Sequence, residues 1–396
     1  MYTTIYSVCK KSTPLYIVVT LKGFKGFEKM KKITVGIPAF HAQDHICDAL
    51  SSIQIQTMVQ DIAVVIAKDD PNDDYEFVRE RYPELDITIL DCEKNTGPGL
   101  ARQRALDAAR TRWITFIDAD DIFVGAFAIE NLYRGIEPNC IEVMGTFLQE
   151  VDDNPNVRVI PIGHLGHPWV FGRLYDVEFL RTNNVRFSEL RAMEDGCFNS
   201  SIRLITEGTS LFIKQVNAEV YLWRVGSEHS ITRIGVDNNG IPQYNFDLCA
   251  VGATTAAIEA VRFARGLNPF NGNINKYIVE MMLNSYFTYV ECIAKKPVFA
   301  EQCFFNAKRF YHECYKEIES QISKKILTDL YTSQLAQKAQ DLIGIIPEIT
   351  FFDFMDAVRE NEYGGDAEFK DIRSRLPEEI IQNDLKTGVL GNSEEE

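Results

Sequence analysis

The sequence predicts an α/β fold with a mostly parallel sheet, followed by an α-helical C-terminal region. Apolar runs of strand length alternate with helical patterns between residues 32 and 146. Two of these runs, Ile62–Ile66 and Trp113–Ile117, are apolar almost throughout, which is typical of strands buried on both faces. From Tyr244 onward, helical periodicity dominates.

The elements follow in chain order, each from its own pattern. Strands are expected at residues 33–37, 62–66, 87–90, 113–117 and 140–147, and helices after a cap at Asp44, at 74–81 and at about 98–110. Pro98 suits the first turn of the last of these helices, because its fixed φ is helical and its missing N–H has no helical partner there. After residue 150 we expect a strand at 157–160, a helix from Asp195 to about Thr206, and a hairpin formed by 211–213 and 220–223.

These patterns divide the chain into three expected parts. Residues 1–29 are basic and are expected to be an upstream extension or a disordered leader, because Met30 runs directly into the first strand and no small-residue cleavage site follows the short apolar run of the segment. An α/β domain is expected at 30–235 and a helical domain at 243–390, with a linker at about 235–242 between them.

Composition and charge limit the classes of function. The 396 residues carry a formal net charge of −16, so general binding to nucleic acid or to an anionic membrane is disfavoured, although a local basic groove remains open. The nine cysteines include no C-x-x-C pair, which favours reduced thiols and a cytoplasmic protein. No apolar run is long enough to span a bilayer.

Three carboxylates follow the fourth expected strand directly. Asp118, Asp120 and Asp121 therefore fall at the carboxyl edge of the sheet, where open α/β folds bind ligands. Their mutual repulsion would be relieved by a hard divalent cation, which commonly also carries substrate phosphates. A solvated Asp-rich turn after a strand is the alternative interpretation.

Seven segments whose residues could take part in binding or catalysis follow one another along the chain. They are Ile37–Phe40 at the end of the first strand, the acidic turn Lys68–Asp74, the glycine-containing segment Asn95–Ala105, the aspartate run itself, His167–Tyr175, Met193–Asp195 and Tyr221–Thr232. This ordered set, over about half the chain, resembles the family 2 glycosyltransferases, which have a nucleotide-sugar-binding GT-A fold. The resemblance implies that residues 30–235 form such a GT-A domain.

The resemblance also implies a donor site. Pro38 and Phe40 would line the pocket for the nucleoside base, and Asp69 or Asp70 would accept a hydrogen bond from a uracil N–H. Glycines such as Gly97 allow close backbone approach, and the helix N-terminus that follows Asn95 favours anions. The remaining expected donor contacts are Arg102, which would reach a phosphate or brace the aspartate loop, and Asp118, which would contact the ribose or support the site.

The metal, the base and the acceptor are assigned in the same way. Asp120 would bind Mn²⁺ or Mg²⁺, with Asp121 as an additional ligand and His229 completing the site. Asp195 would be the catalytic base, with Glu194 as the second candidate, and a plain helix cap is the alternative role of Asp195. On the acceptor side, Arg173 stands where the family commonly has lysine, and Trp169 either stacks on a sugar or base or belongs to the core.

The predicted function is therefore inverting, metal-dependent transfer of a sugar from a nucleoside-diphosphate sugar, most simply a UDP-sugar, to an acceptor hydroxyl. The acceptor would be a glycan, a lipid or a small molecule. A hydroxylated base in DNA is an alternative acceptor, because basic and aromatic residues are interleaved between Lys295 and Tyr311. At helical spacing such residues are more often a core with a charged rim. The sequence also leaves open two further classes of protein, a nucleotidyltransferase and a non-catalytic sugar-binding scaffold.

Overall fold

The computed structural model describes residues 31–153, 156–163, 168–224, 233–236, 242–244, 246–268, 272–338 and 349–377. Every described residue belongs to one compact unit, Lys31–Glu396. The expected leader at 1–29 therefore lies outside the described residues.

The described strands form one large mixed sheet and a small separate one. The strands of the large sheet are β1 (Ile33–Ala39), β2 (Ile62–Lys68), β3 (Asp86–Leu90), β4 (Trp113–Phe116), β5 (Ile122–Phe123), β6 (Cys140–Asp153), β7 (Asn156–Ile162), β8 (Arg173–Asp176) and β9 (Phe212–Trp223). Their spatial order is β3-β2-β1-β4-β8-β6-β9-β5, and β7 pairs with β6. Strands β10 (Arg233–Val236) and β11 (Pro242–Tyr244) form a separate antiparallel pair.

The first half of the sheet is parallel, as predicted. Strand β1 lies between β2 and β4 and is parallel to both, so the chain leaves all three strands at one edge. The second half is mixed, because β8 is antiparallel to β4 and to β6, whereas β6 and β9 are parallel. The site residues expected after β1, β2 and β4 therefore share the carboxyl edge of the parallel half.

Helices cover both faces of the sheet and continue into a helical region. The helices are α1 (Ile46–Gln54), α2 (Phe77–Arg81), α3 (Pro98–Ala108), α4 (Ala128–Arg134), α5 (Val177–Thr182), α6 (Glu194–Thr206), α7 (Phe246–Leu267), α8 (Gly272–Lys295), α9 (Ala300–Phe310), α10 (Lys324–Lys338), α11 (Phe351–Glu360) and α12 (Gly365–Ser374). Apolar residues of α1 pack with Ile33 and Val35 in one core, whereas those of α3 pack with Phe116 in another, so α1 and α3 lie on opposite faces. No helix among the described residues combines the length and the apolar character needed to span a membrane.

Two local predictions were wrong, and β8 was not predicted. The expected hairpin at 211–223 is the single strand β9, since its centre at Val216–Ala218 has no glycine or proline to force a turn. Helix α1 begins at Ile46 after His45, so Asp44 is not its cap. Strand β8 was missed because its sequence, Arg-Leu-Tyr-Asp, alternates too briefly to be distinguished from a loop.

Candidate active site

A buried guanidinium joins two candidate site segments that are far apart in sequence. Arg102, one turn into α3, donates to an Asp118 carboxylate oxygen and to Oε1 of Glu194, both at 2.6 Å. Burial alone would lower the pKa of Arg102, but the charges of Asp118 and Glu194 raise it above its ordinary value. The predicted bracing of the aspartate loop by Arg102 is thus present, and it extends to the first residue of α6.

Asp195 follows Glu194 in the sequence, and its side chain is half-buried. Its Oδ1 accepts a hydrogen bond of 2.8 Å from the N–H of Gly196. Burial and the neighbouring charge of Glu194 raise the pKa of Asp195 to about 7, against the opposing charge of Arg102. A carboxylate with such a pKa is matched to taking up a proton near neutral pH.

The backbone just before these acids has an uncommon conformation. Met193, the residue before α6, has a φ of 67°, in the left-handed region that non-glycine residues seldom adopt. Such a conformation costs free energy and persists only where the surrounding structure holds it. The turn that presents Glu194 and Asp195 is therefore fixed by its neighbours rather than by its own preference.

The aspartate run divides into one buried and two more accessible side chains. Asp121 is buried and accepts hydrogen bonds from the Tyr221 hydroxyl, at 2.5 Å, and from the N–H of Arg224, at 2.8 Å. Burial and the charges of Asp120 and Asp118 raise the pKa of Asp121 well above its ordinary value. Asp121 thus anchors the turn to β9, while Asp118 and Asp120 remain partly exposed at the sheet edge.

The carboxylates at the sheet edge are suited to a divalent cation that is also bound by the substrate. Within the described part of the chain, no three His, Cys, Asp or Glu side chains converge into a metal cage. Mg²⁺ is usually held by one or two carboxylates together with phosphate oxygens and water, which is what the partly exposed Asp120 offers. His229, the other expected ligand, lies outside the described residues.

On the nucleoside side, the two expected base-binding acids have different surroundings. Asp69 is buried, and its carboxylate accepts hydrogen bonds from the N–H groups of Thr96 and Gly97 and from the Thr96 hydroxyl, at 2.8–2.9 Å. Asp70 is more exposed; its carboxylate accepts from the N–H of Asn72 and lies 3.4 Å from Nε2 of His41. The geometry therefore favours Asp70 over Asp69 for contact with a base.

The end of β1 offers an exposed ring beside this acidic turn. Phe40 is 40% exposed, and its ring centroid lies 4.0 Å from that of His41. Pro38, still within β1, is partly buried. Asp73 was not among the predicted site residues; its buried carboxylate accepts hydrogen bonds from the N–H of His41 at 2.7 Å and from the Tyr75 hydroxyl at 2.9 Å. The Asp-x-Tyr spacing was the available signal for this anchor.

Two glycines of the segment Asn95–Ala105 lie close to other residues of the protein. Gly97 has a φ of 87°, which glycine adopts without steric cost, and Asn95 accepts a hydrogen bond from Arg191. A Cβ on Gly99 would lie 2.8 Å from the carbonyl oxygen of Ser188 and 2.8 Å from Cγ of Glu194. The glycine at 99 therefore allows α3 to pack closely against the segment that presents the acids.

The expected acceptor residues lie in different environments. Trp169 is partly buried and stacks on Phe171, with a centroid separation of 5.7 Å, and Phe171 stacks on Tyr221 at 4.4 Å. Arg173 is buried in β8 and forms an ion pair with Glu142 of β6, which is also buried. Arg173 therefore contacts the interior of the sheet, whereas Trp169 remains a candidate surface for stacking.

Three aromatic residues of the basic and aromatic stretch in the helical region belong to the core. Phe305, Phe310 and Tyr311 are at most 3% exposed, and Lys308 is buried with its ammonium group paired with Glu368. Stacking of nucleic-acid bases requires exposed rings, so these residues do not form the surface that a DNA acceptor would need.

An α/β sheet with an acid-rich turn after its fourth strand, braced by an arginine from the preceding helix, defines a domain of the GT-A class. Residues 34–198 match the family model described as "Glycosyl transferase family 2". This match of residues 34–198 confirms the resemblance to the family 2 glycosyltransferases and the fold class predicted from the sequence.

Known proteins support this resemblance. The chain is 24% identical over 192 residues to the poly(ribitol-phosphate) beta-glucosyltransferase of Bacillus spizizenii, in a match that covers 44% of this chain and 30% of that protein. It is 23% identical over 229 residues to glycosyltransferase GlyA of Streptococcus pneumoniae, in a match that covers 51% and 32%. The chain thus matches about a third of the length of each of these two relatives.

A solved structure has the same fold. The crystal structure of S. aureus TarS 1-349 in complex with UDP-GlcNAc superposes with a TM-score of 0.58 at 16% identity, and the match covers 75% of this chain and 85% of that one. A match over 75% of this chain is longer than residues 34–198, so it includes residues that the family model does not cover.

Proposed function

We propose that this protein is a metal-dependent, inverting glycosyltransferase that moves a sugar from a UDP-sugar to a hydroxyl of an acceptor glycan. The observation that carries the proposal is the Arg102 bridge, because it ties the expected donor-side Asp118 to the segment that contains Asp195. The relatives named as a glucosyltransferase and as a complex with UDP-GlcNAc support the donor class. The cysteine content supports action in the cytoplasm.

The residues divide the reaction between them. Asp195 accepts the proton of the acceptor hydroxyl, and the oxygen then attacks the anomeric carbon from the face opposite the diphosphate. The bond from that carbon to the diphosphate oxygen breaks, so the configuration inverts and a nucleoside diphosphate leaves. Phe40 and Asp70 bind the base, and Asp118 orients the ribose. When bound at Asp120, Mn²⁺ or Mg²⁺ supplies positive charge close to the diphosphate.

Donor binding is tested by the melting temperature of the protein with a panel of nucleotide sugars, in the presence of Mn²⁺ or of a chelator. A ligand that binds only the folded state raises the melting temperature by mass action. We expect one UDP-sugar to raise it in a metal-dependent manner, and we expect Asp120→Ala to abolish the rise. Asp329→Ala, which removes an exposed acid from α10, is the charge-matched control and should retain it.

Two outcomes of this panel would contradict the proposal. A rise with free nucleoside triphosphates alone would favour a nucleotidyltransferase. A metal-dependent rise with a UDP-sugar but no transfer to any glycan, with Asp195→Asn indistinguishable from the unmodified protein, would favour the non-catalytic scaffold.

The raised pKa of Asp195 predicts an acidic limit to activity. The base works only when deprotonated, so transfer should be greatest well above pH 7, near half of its maximum at about pH 7, and progressively lost at lower pH. The pH profile of kcat/KM for the acceptor checks this, with donor affinity measured at each pH as the control. A profile that is flat down to about pH 5 would argue against Asp195 as the base.

A further inference from the structure

A glycine of the helical region lies against the turn that precedes the candidate base. Gly252 is in the second turn of α7, and a Cβ placed on it would lie 2.7 Å from the carbonyl oxygen of Ala192 and 3.2 Å from Cγ of Met193. Real Cβ atoms essentially never approach a backbone atom so closely. The backbone of α7 therefore touches the Ala192–Met193 peptide unit directly.

That peptide unit leads into both acids of the site. Met193 holds its left-handed conformation immediately before Glu194 and Asp195, and its carbonyl oxygen accepts the first helical hydrogen bond of α6, from the N–H of Cys197 at 3.0 Å. A shift of this peptide would thus move the start of α6 and the carboxylates on it. The strained turn therefore packs directly against the backbone of α7 at Gly252.

A second contact from the same side of α7 reaches α6 one turn further along. Glu259 is seven residues, or about two helical turns, beyond Gly252, so the two lie on one face of α7. A carboxylate oxygen of Glu259 lies 3.8 Å from Sγ of Cys197. Helix α7 therefore contacts both the turn before α6 and the first turn of α6.

Two acids of the donor side are held by elements other than α7. Asp69 fixes the turn before α3, and Asp121 is anchored to Tyr221 of β9. The atoms nearest to a Cβ at Gly252 belong instead to Ala192 and Met193. The Arg102 bridge links Glu194 to Asp118 of the donor side, so the Kd for UDP must be measured beside kcat to separate movement of the acid-bearing turn from loss of donor binding.

We propose that helix α7 sets the position of Asp195 for proton transfer, with Gly252 as the positioning residue. The inference rests on the proposed function, and it gives the helical region a role in the reaction itself. An added methyl group at position 252 would displace the Ala192–Met193 peptide, and a misplacement of about 1 Å in a reacting group costs on the order of 100-fold in rate.

The test compares Gly252→Ala with Gly266→Ala. Both changes replace a glycine of α7 with alanine, but a Cβ on Gly266 meets nothing within 4 Å. We expect Gly252→Ala to lower kcat by roughly tenfold or more, while the Kd for UDP and the KM for the donor stay within about twofold of the unmodified protein. Gly266→Ala should match the unmodified protein in all three quantities.

Hydrogen exchange gives a readout that does not depend on activity. Amides of residues 192–197 should exchange faster in Gly252→Ala than in Gly266→Ala, with amides of α3 unchanged. Equal exchange and equal kcat in the two variants would overturn the inference. Loss of UDP affinity together with early melting in Gly252→Ala would also overturn it, because α7 would then support the whole fold rather than the turn.

The proposed function can fail separately from the positioning contact. If the unmodified protein transferred no sugar, while Gly252→Ala still exchanged faster at residues 192–197 than Gly266→Ala, the contact would hold and the transferase assignment would be refuted. The role of α7 in proton transfer would then fall with that assignment.

Discussion

Replacing Asp195 with asparagine should abolish sugar transfer while leaving affinity for the nucleotide donor unchanged. The amide has the shape of the carboxylate and can still accept the hydrogen bond from the N–H of Gly196. It cannot take up the proton of an acceptor hydroxyl, and loss of a general base typically costs about 10²–10⁴-fold in rate. The measurement is kcat with saturating donor, alongside the Kd for UDP by calorimetry.

Glu194→Gln is the informative companion to this variant, because Glu194 is the second candidate for the base. Glu194 is buried and paired with Arg102, so it is closed off from an acceptor in the described structure. We expect Glu194→Gln to retain measurable turnover, with a pH profile still governed by Asp195. If Asp195→Asn kept its rate and Glu194→Gln lost it, the assignment of the two acids would be reversed.

The parallel half of the sheet and its acid-rich edge could be predicted from the sequence because their signals are local. An apolar run that ends abruptly at Asp118 indicates both a buried strand and a ligand site at its end. Helix α3 was recognised by Pro98 at its first position, and the helix fixed where Arg102 would lie. In each case the deciding residues are close together in the chain.

Features that depend on distant partners could not be predicted. Asp69 and Asp70 were alternative contacts for a base, and the sequence did not show that the Asp69 carboxylate accepts hydrogen bonds from the Thr96–Gly97 turn, which only the folded sheet brings beside it. Arg173 was expected to face an acceptor, yet β8 packs against β6 and places it beside Glu142. Likewise, nothing around Gly252 in sequence indicates that its missing side chain makes room for Ala192.

The helical region also shows why composition alone misleads. Interleaved lysines and aromatic residues between 295 and 311 are compatible with a nucleic-acid surface or with a core that has a charged rim. Packing of α9 against α8 and α11 selects the second outcome, because Phe310 and Tyr311 join the same core as Phe354. Helical spacing was the better guide than residue type.

Arg102→Met should destabilise the fold and remove donor binding together, unlike any change at Asp195. Arg102 is the buried partner of Asp118 and Glu194, at 2.6 Å from each. Breaking a buried ion pair by removing one partner typically costs about 3–5 kcal/mol, because the remaining charge stays buried without compensation. Urea unfolding and UDP affinity measure the two effects, and Arg110→Met, at an exposed arginine just beyond α3, is the matched control.

The uncompensated charge of Glu194 in Arg102→Met predicts whether a second substitution, at Glu194, raises or lowers the stability. Burial already raises the pKa of Glu194, and the charge of Arg102 opposes the rise. Without Arg102, a neutral side chain at 194 should be better tolerated than a carboxylate. Adding Glu194→Gln should therefore stabilise the Arg102→Met variant, although the same change destabilises the unmodified protein by breaking the pair. If Glu194→Gln destabilised both backgrounds equally, Arg102 and Glu194 would not be energetically coupled, and the bridge would not be what holds the acid-bearing turn beside the donor site.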